Sequence, residues 1–231
     1  MKPFSEWRLY VIADRSAAGQ RSLTDVAAAA VRGGADVIQL RDKTATARQL
    51  LDEAQRLLPI TQAGGIPLII NDRSDLVQAA GAAGVHLGQD DLPLSHARKL
   101  LGNTYVIGQS THSVDEAQAA QAEGADYIGL GPIFTTPTKP DYQQVGIELI
   151  SRVVPCARVP VVCIGGIDRT NIRHVIAAGA RCVAVVRAIC ASPDPESATR
   201  ELKTLLSDIP HHEELRSGAS TKPSDARTPE S

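Results

Sequence analysis

The chain has 231 residues, 43% of them hydrophobic but only 3% aromatic, with 18 glycines and a formal net charge of −2. That length suits one large domain whose core is aliphatic, and the near-neutral balance gives no electrostatic footprint for nucleic acid. No apolar run reaches the roughly 20 residues of a membrane helix, and the N-terminal MKPFSEWRLYVIAD lacks the apolar core of a signal peptide, so a cytoplasmic protein with no membrane partner is expected.

Short apolar runs recur along the chain. They are LYVIAD (9–14), VIQLRD (37–42), PLIIND (67–72), GVHLG (84–88), YVIGQS (105–110), YIGLGPIF (127–134), VPVVCIGG (159–166) and CVAVVRAI (182–189). Stretches with helical spacing separate them, among them LTDVAAAAVRGG, ARQLLDEAQRLL, VDEAQAAQAEG and NIRHVIAAGA. Many of these stretches end in glycine, a common helix stop. GGAD, AGAAGVH, AEGAD and AAGAR each precede a strand, as if one module recurs. About eight such units with continuous apolar strands predict a parallel sheet covered by helices. Eight units close most naturally into a (β/α)8 TIM barrel of the α/β class, in a single domain. A doubly wound open sheet is the alternative, but no GxGxxG follows the first strand. The barrel is assigned to residues 1–209, with a last helix near Glu196 to Leu206. Residues 210–231 are polar and read as a disordered tail. Cys156, Cys163, Cys182 and Cys190 have no CxxC spacing and read as buried, reduced thiols.

In such barrels the chemistry sits at the C-terminal ends of the strands, and polar residues gather there in this sequence. Gln39, Arg41 and Lys43 alternate along the second strand and so share one face. Either that face is exposed at a sheet edge or it receives a strongly anionic group. The third strand ends in Asn71 and Asp72, and the fourth is followed by Gln89, Asp90 and Asp91. The fifth ends in Ser110, followed by Thr111 and His112. TTPTK follows the sixth, with Thr136, Thr138 and Lys139. The seventh ends in Gly165-Gly166, and the eighth carries Arg187. Arg41, Lys43 and Lys139 suit a phosphate or diphosphate. Asp72 and Asp91 suit Mg²⁺, which takes one or two carboxylates alongside substrate phosphates. IGGI followed by DRTNI has the form of a glycine turn entering a helix N-terminus, a second anion site. No GxSxG or HExxH motif is present. His86, inside an apolar strand, reads as structural, while His112 is placed at either the site or the surface.

Taken together, QLRDK, INDR, GVHLGQDD, GQSTH, TTPTK, CIGGI and the VAVV strand resemble thiamine phosphate synthases, in order, from about Arg8 to Leu206. The resemblance implies a (β/α)8 barrel that joins a hydroxymethylpyrimidine diphosphate to a thiazole phosphate, plain or carboxylated, and releases diphosphate. It implies that Gln39, Arg41, Lys43, Asn71 and Lys139 hold the diphosphate. Asp72 and Asp91 are implied to bind Mg²⁺. Ser110, Thr136, Thr138 and Gly166 are implied to contact the substrates, with Val186 completing a phosphate site near Gly166. Lys139, Arg41 and Ser110 stand nearest the chemistry. The resemblance implies that the C–O bond ionises before the thiazole nitrogen captures the cation, which needs leaving-group stabilisation more than a base. Many family members have serine where this chain has Arg187, which leaves the thiazole-phosphate contacts of this chain open. The alternatives are a thiazole tautomerase of the same fold, with His112 as its acid–base group, a sugar-phosphate isomerase or lyase, and a ligand-binding regulator. The expected partners are small-molecule substrates, with a homo-oligomer left open, since composition says nothing about the oligomeric state.

Overall fold

The structure, a computed structural model, describes residues 4–136 and 143–207. Thr138, Lys139 and the tail therefore lie outside the described residues. Eight parallel strands, β1 (Leu9–Asp14), β2 (Val37–Arg41), β3 (Leu68–Asn71), β4 (Gly84–Leu87), β5 (Val106–Thr111), β6 (Tyr127–Leu130), β7 (Val161–Ile164) and β8 (Cys182–Val185), follow one another around a closed barrel. The barrel closes where Leu9 pairs with Val183 and Val11 with Val185. Strand positions agree with the sequence reading, but β6, β7 and β8 are shorter than expected. Pro132 has no N–H to continue the β6 ladder. Beyond Val185 the chain turns at Val186 into the helix Arg187–Cys190, so Arg187 stands on a helix and not on the eighth strand. The helix after β2 runs on through Pro59 to Ala63. Among the described residues no helix is long and apolar enough to cross a membrane.

The recurring module before the strands has a physical basis. After five helices a glycine takes positive φ: Gly34, Gly65, Gly81, Gly124 and Gly179. The next residue then donates its N–H to the carbonyl five positions back: Ala35 to Ala30, Ile66 to Thr61, Ala82 to Val77, Ala125 to Ala120 and Ala180 to Val175. This is the Schellman closure, which satisfies an orphan helix carbonyl and aims the chain at the next strand. In GGAD and AEGAD the acid adds a second tie. Asp36 Oδ2 accepts from the N–H groups of Arg8 and Leu9, each at 2.9 Å. Asp126 Oδ2 accepts from Ile107 N–H at 2.7 Å. Lys203 pairs with Asp36 and so fixes the helix Pro195–Ser207 against the bottom of the barrel.

The strand pleat divides the core in two. Outward residues such as Val11, Ile38, Leu40, Ile70, Val85 and Ile128 pack under the helices in one aliphatic cluster. Inward residues form a second cluster on the barrel axis, built around Trp7, Tyr10 and Tyr127. In this inner cluster Trp7 stands edge-on to Tyr10 and to Tyr127, with ring centroids 6.1 and 5.6 Å apart. The expectation of an aliphatic core holds for the outer shell alone. Of the cysteines, Cys163, Cys182 and Cys190 are buried, but Cys156 is exposed on the turn that precedes β7.

Candidate active site

A cavity of about 650 Å³ opens at the C-terminal ends of the strands. The pleat answers the question of the β2 face. Ile38 and Leu40 point out into the helix layer, so Gln39, Arg41 and Lys43 turn into the mouth and line the cavity. Gln39 is the deepest, 2% exposed, and its Nε2 donates to Tyr10 Oη at 2.8 Å. Arg41 forms an ion pair with Asp14, its direct neighbour in the β1–β2 register. Asp14 is itself fixed, accepting from Ala17 N–H at 2.9 Å as the cap of the helix Arg15–Ala18. Lys43 Nζ lies 3.2 Å from Asp72 Oδ2. Asp14 was missed in the sequence, where it looks like an ordinary strand terminus. Its signal was an acid in register with Arg41.

Asp72 has φ of +62°, the single positive-φ residue other than glycine among the described residues. Such a conformation costs about 1–3 kcal/mol and persists only where the surroundings impose it. Here Asp72 N–H donates to His86 O at 2.8 Å, and Ser74 N–H closes back on Asp72 O at 3.1 Å. The turn brings the Asp72 carboxyl against Asp91, which follows β4. Burial and the neighbouring Asp91 raise the Asp72 carboxyl above the usual carboxylate range, with Lys43 opposing. Asp91 Oδ2 accepts from Gly88 N–H at 2.6 Å. Two links pin this loop to β5: Gln109 Nε2 donates to Gly88 O at 3.0 Å and Gln89 Nε2 to Ser110 O at 2.5 Å. No group of three or more His, Cys, Asp or Glu among the described residues could hold a metal alone. The pair Asp72 and Asp91 therefore offers a partial ligand set.

His86 is more than a filler of its strand. Its Nε2 lies 2.9 Å from Ser110 Oγ and its Nδ1 2.9 Å from Tyr127 Oη. His112 also lines the mouth, with its N–H on Glu116 Oε2 at 2.8 Å and its Nδ1 against Gly131 O. Asn71, Ser110, Thr136, Gly166, Val186 and Arg187 all line the same cavity. The Gly165-Gly166 pair must be glycine, since both have positive φ and a Cβ on either would come within 2.6 Å of the β6 loop. The glycine turn does not run straight into a helix as the sequence suggested. Asp168 caps its own turn by accepting from Thr170 N–H at 2.8 Å, and Asn171 Nδ2 donates to Gly166 O at 2.8 Å. The helix itself begins only at Ile172. The cations Arg41 and Lys43 each already face a carboxylate, and Arg187 is the third cation among the described residues that line the cavity.

The comparisons with known proteins converge. The family model described as thiamine monophosphate synthase matches residues 9–189. The thiamine-phosphate synthase of Roseiflexus sp. (strain RS-1) is 47% identical over 199 residues, 86% of this chain and 84% of that protein. That of Shouchella clausii is 44% identical over 209 residues, covering 90% and 99%. Among solved structures, a thiamine phosphate pyrophosphorylase from Pyrococcus furiosus superposes with a TM-score of 0.82 at 33% identity, covering 88% of this chain and 97% of that one. A 3-hexulose-6-phosphate synthase, at 18% identity and a TM-score of 0.60, shares the fold alone.

Proposed function

The chain belongs to the thiamine monophosphate synthase family, a transferase family making thiamine phosphate, and we propose that the barrel mouth carries the reaction by holding the diphosphate of the pyrimidine substrate as it leaves. The C–O bond between the pyrimidine methylene and the diphosphate breaks, and its electron pair leaves with the diphosphate. The thiazole nitrogen then gives its lone pair to the methylene carbon, forming the C–N bond. No proton is abstracted, which agrees with a mouth that offers charge-stabilising groups. Asp72 and Asp91 are the residues that would hold a Mg²⁺ beside the diphosphate, and the ion would supply Lewis-acid neutralisation of the leaving group.

The observation that carries this reading is the convergence of the β2 face, Gln39, Arg41 and Lys43, with the paired Asp72 and Asp91 in one cavity. Two carboxylates pressed together favour a cation between them. Lys43, 3.2 Å from Asp72 Oδ2, stands where it would serve both that carboxylate and the diphosphate. Arg41, tethered by Asp14, presents its remaining N–H donors in a fixed direction. Asn71 is assigned to the diphosphate, Thr136 and Ser110 to the substrates, and Gly166, Val186 and Arg187 to the thiazole phosphate. Thr138 and Lys139 keep the roles given by their place in the TTPTK motif. The tautomerase alternative finds no support among the relatives matched, which carry the synthase name at 43–50% identity. Incubation with both substrates and Mg²⁺, with the product identified by mass, tests the reading. Turnover should vanish with EDTA and return with Mg²⁺. Metal-independent proton exchange on the thiazole, without condensation, would overturn it.

A further inference from the structure

Beneath the mouth, Gln39 and Ser110 are joined by three side chains that the chemistry above leaves unused, Tyr10, Tyr127 and His86. Gln39 Nε2 lies 2.8 Å from Tyr10 Oη, and Tyr10 Oη lies 3.0 Å from Tyr127 Oη. Tyr127 Oη lies 2.9 Å from His86 Nδ1, and His86 Nε2 lies 2.9 Å from Ser110 Oγ. The chain leaves β2, crosses the barrel axis through β1 and β6, and returns to the mouth by β4 and β5. Space has been cleared for it. A Cβ on Gly108 would sit 2.1 Å from Tyr127 Cζ, and one on Gly129 would sit 3.0 Å from His86 Cε1.

We propose that Tyr10 and Tyr127 are positioning residues whose hydrogen bonds run one way, from Gln39 to Ser110, and so fix the Ser110 hydroxyl as a hydrogen donor toward the leaving diphosphate. The order follows from counting hydrogens. Tyr10 accepts from the Gln39 amide, so its single hydrogen goes to Tyr127. Tyr127 passes its own hydrogen to His86 Nδ1. A neutral imidazole that accepts at Nδ1 carries its hydrogen on Nε2, and that N–H donates to Ser110 Oγ. The hydrogen of Ser110 is left for the mouth, where negative charge develops. Burial holds both phenols above their usual range, so neither loses its hydrogen at working pH. The role assigned to Ser110 rests on the synthase reading, whereas the direction of the chain does not.

The test separates the two. In ¹⁵N-labelled protein without substrate, the His86 ring, assigned by comparison with His86→Asn, should show hydrogen on Nε2. Gln39→Glu replaces the donor by an acceptor and should move that hydrogen to Nδ1. Tyr127→Phe and, independently, Tyr10→Phe should lower kcat about tenfold, the scale of one misdirected hydrogen bond, while KM for both substrates stays within about twofold. A wild-type ring with hydrogen on Nδ1, a tautomer indifferent to Gln39→Glu, or full kcat in both phenylalanine variants overturns the proposal. Absence of turnover in the wild type would defeat the synthase reading instead, and the tautomer result would still decide the chain.

Discussion

Replacing Gly108 by alanine adds one methyl group to the inner face of β5. Its Cβ would lie 2.1 Å from Tyr127 Cζ, 2.4 Å from Cε1 and 2.5 Å from Oη, far inside van der Waals contact. The ring has little room to retreat. Its centroid stands 5.6 Å from Trp7, 6.0 Å from Tyr10 and 5.4 Å from His86, and Tyr127 is fully buried. The gain in strand propensity is small beside this overpacking, which costs about 1–3 kcal/mol. For a chain of this size that is roughly 2–12 °C in Tm. The check is a thermodynamic cycle with Tyr127→Ala. Once the ring is gone, the added methyl falls into vacated space, so Gly108→Ala should cost at least about 1 kcal/mol less in that background. Thermal or denaturant unfolding of the four proteins gives the coupling. An equal cost in both backgrounds would refute the claim that Gly108 is glycine to admit the tyrosine ring.

Asp91→Ala should lower kcat by roughly 10²-fold, the scale of losing one charge-stabilising group, and weaken Mg²⁺ activation in steady-state assays. The carboxyl of Asp72 titrates higher when folded than when unfolded, so the folded state binds the extra proton. Its contribution to stability is therefore present below the unfolded value of 3.8 and lost as pH rises through the folded one. With EDTA present, Asp72→Asn should remove that loss and raise Tm above this window relative to wild type, and melting curves across pH would expose a contrary trend. Arg187→Ser should raise KM for the thiazole phosphate more than for the pyrimidine diphosphate, as separate substrate titrations would show. Removal of residues 210–231 should leave turnover within tenfold, since the segment lacks core-forming residues.

The barrel was legible because its signals are local and repeated. Each helix stop, glycine and apolar residue, such as Gly124-Ala125, is read within six residues of sequence, and the closures at Ala35, Ile66, Ala82, Ala125 and Ala180 repeat one rule. Gln39, Arg41 and Lys43 were legible because a strand's period of two turns alternate residues the same way. What stayed hidden depends on register between distant strands. Asp14 meets Arg41, and Tyr10 meets Tyr127, only after closure sets their heights along the barrel axis. His86 looked like a strand residue because its partners, Ser110 and Tyr127, are 24 and 41 positions away. Arg187 reads as a strand residue because VAVV before it and Ala188-Ile189 after it are apolar, and nothing local marks the turn at Val186.

The aromatic cluster below the mouth also governs traffic. Trp7, Tyr10 and Tyr127 fill the axis, each no more than 1% exposed, so the chamber above them has a floor. Molecules that enter past the strand ends share that doorway, and whichever sits deeper should arrive first and depart last. Two substrates and two products sharing that doorway should queue, and inhibition by each product against each substrate should follow an ordered pattern and not a random one.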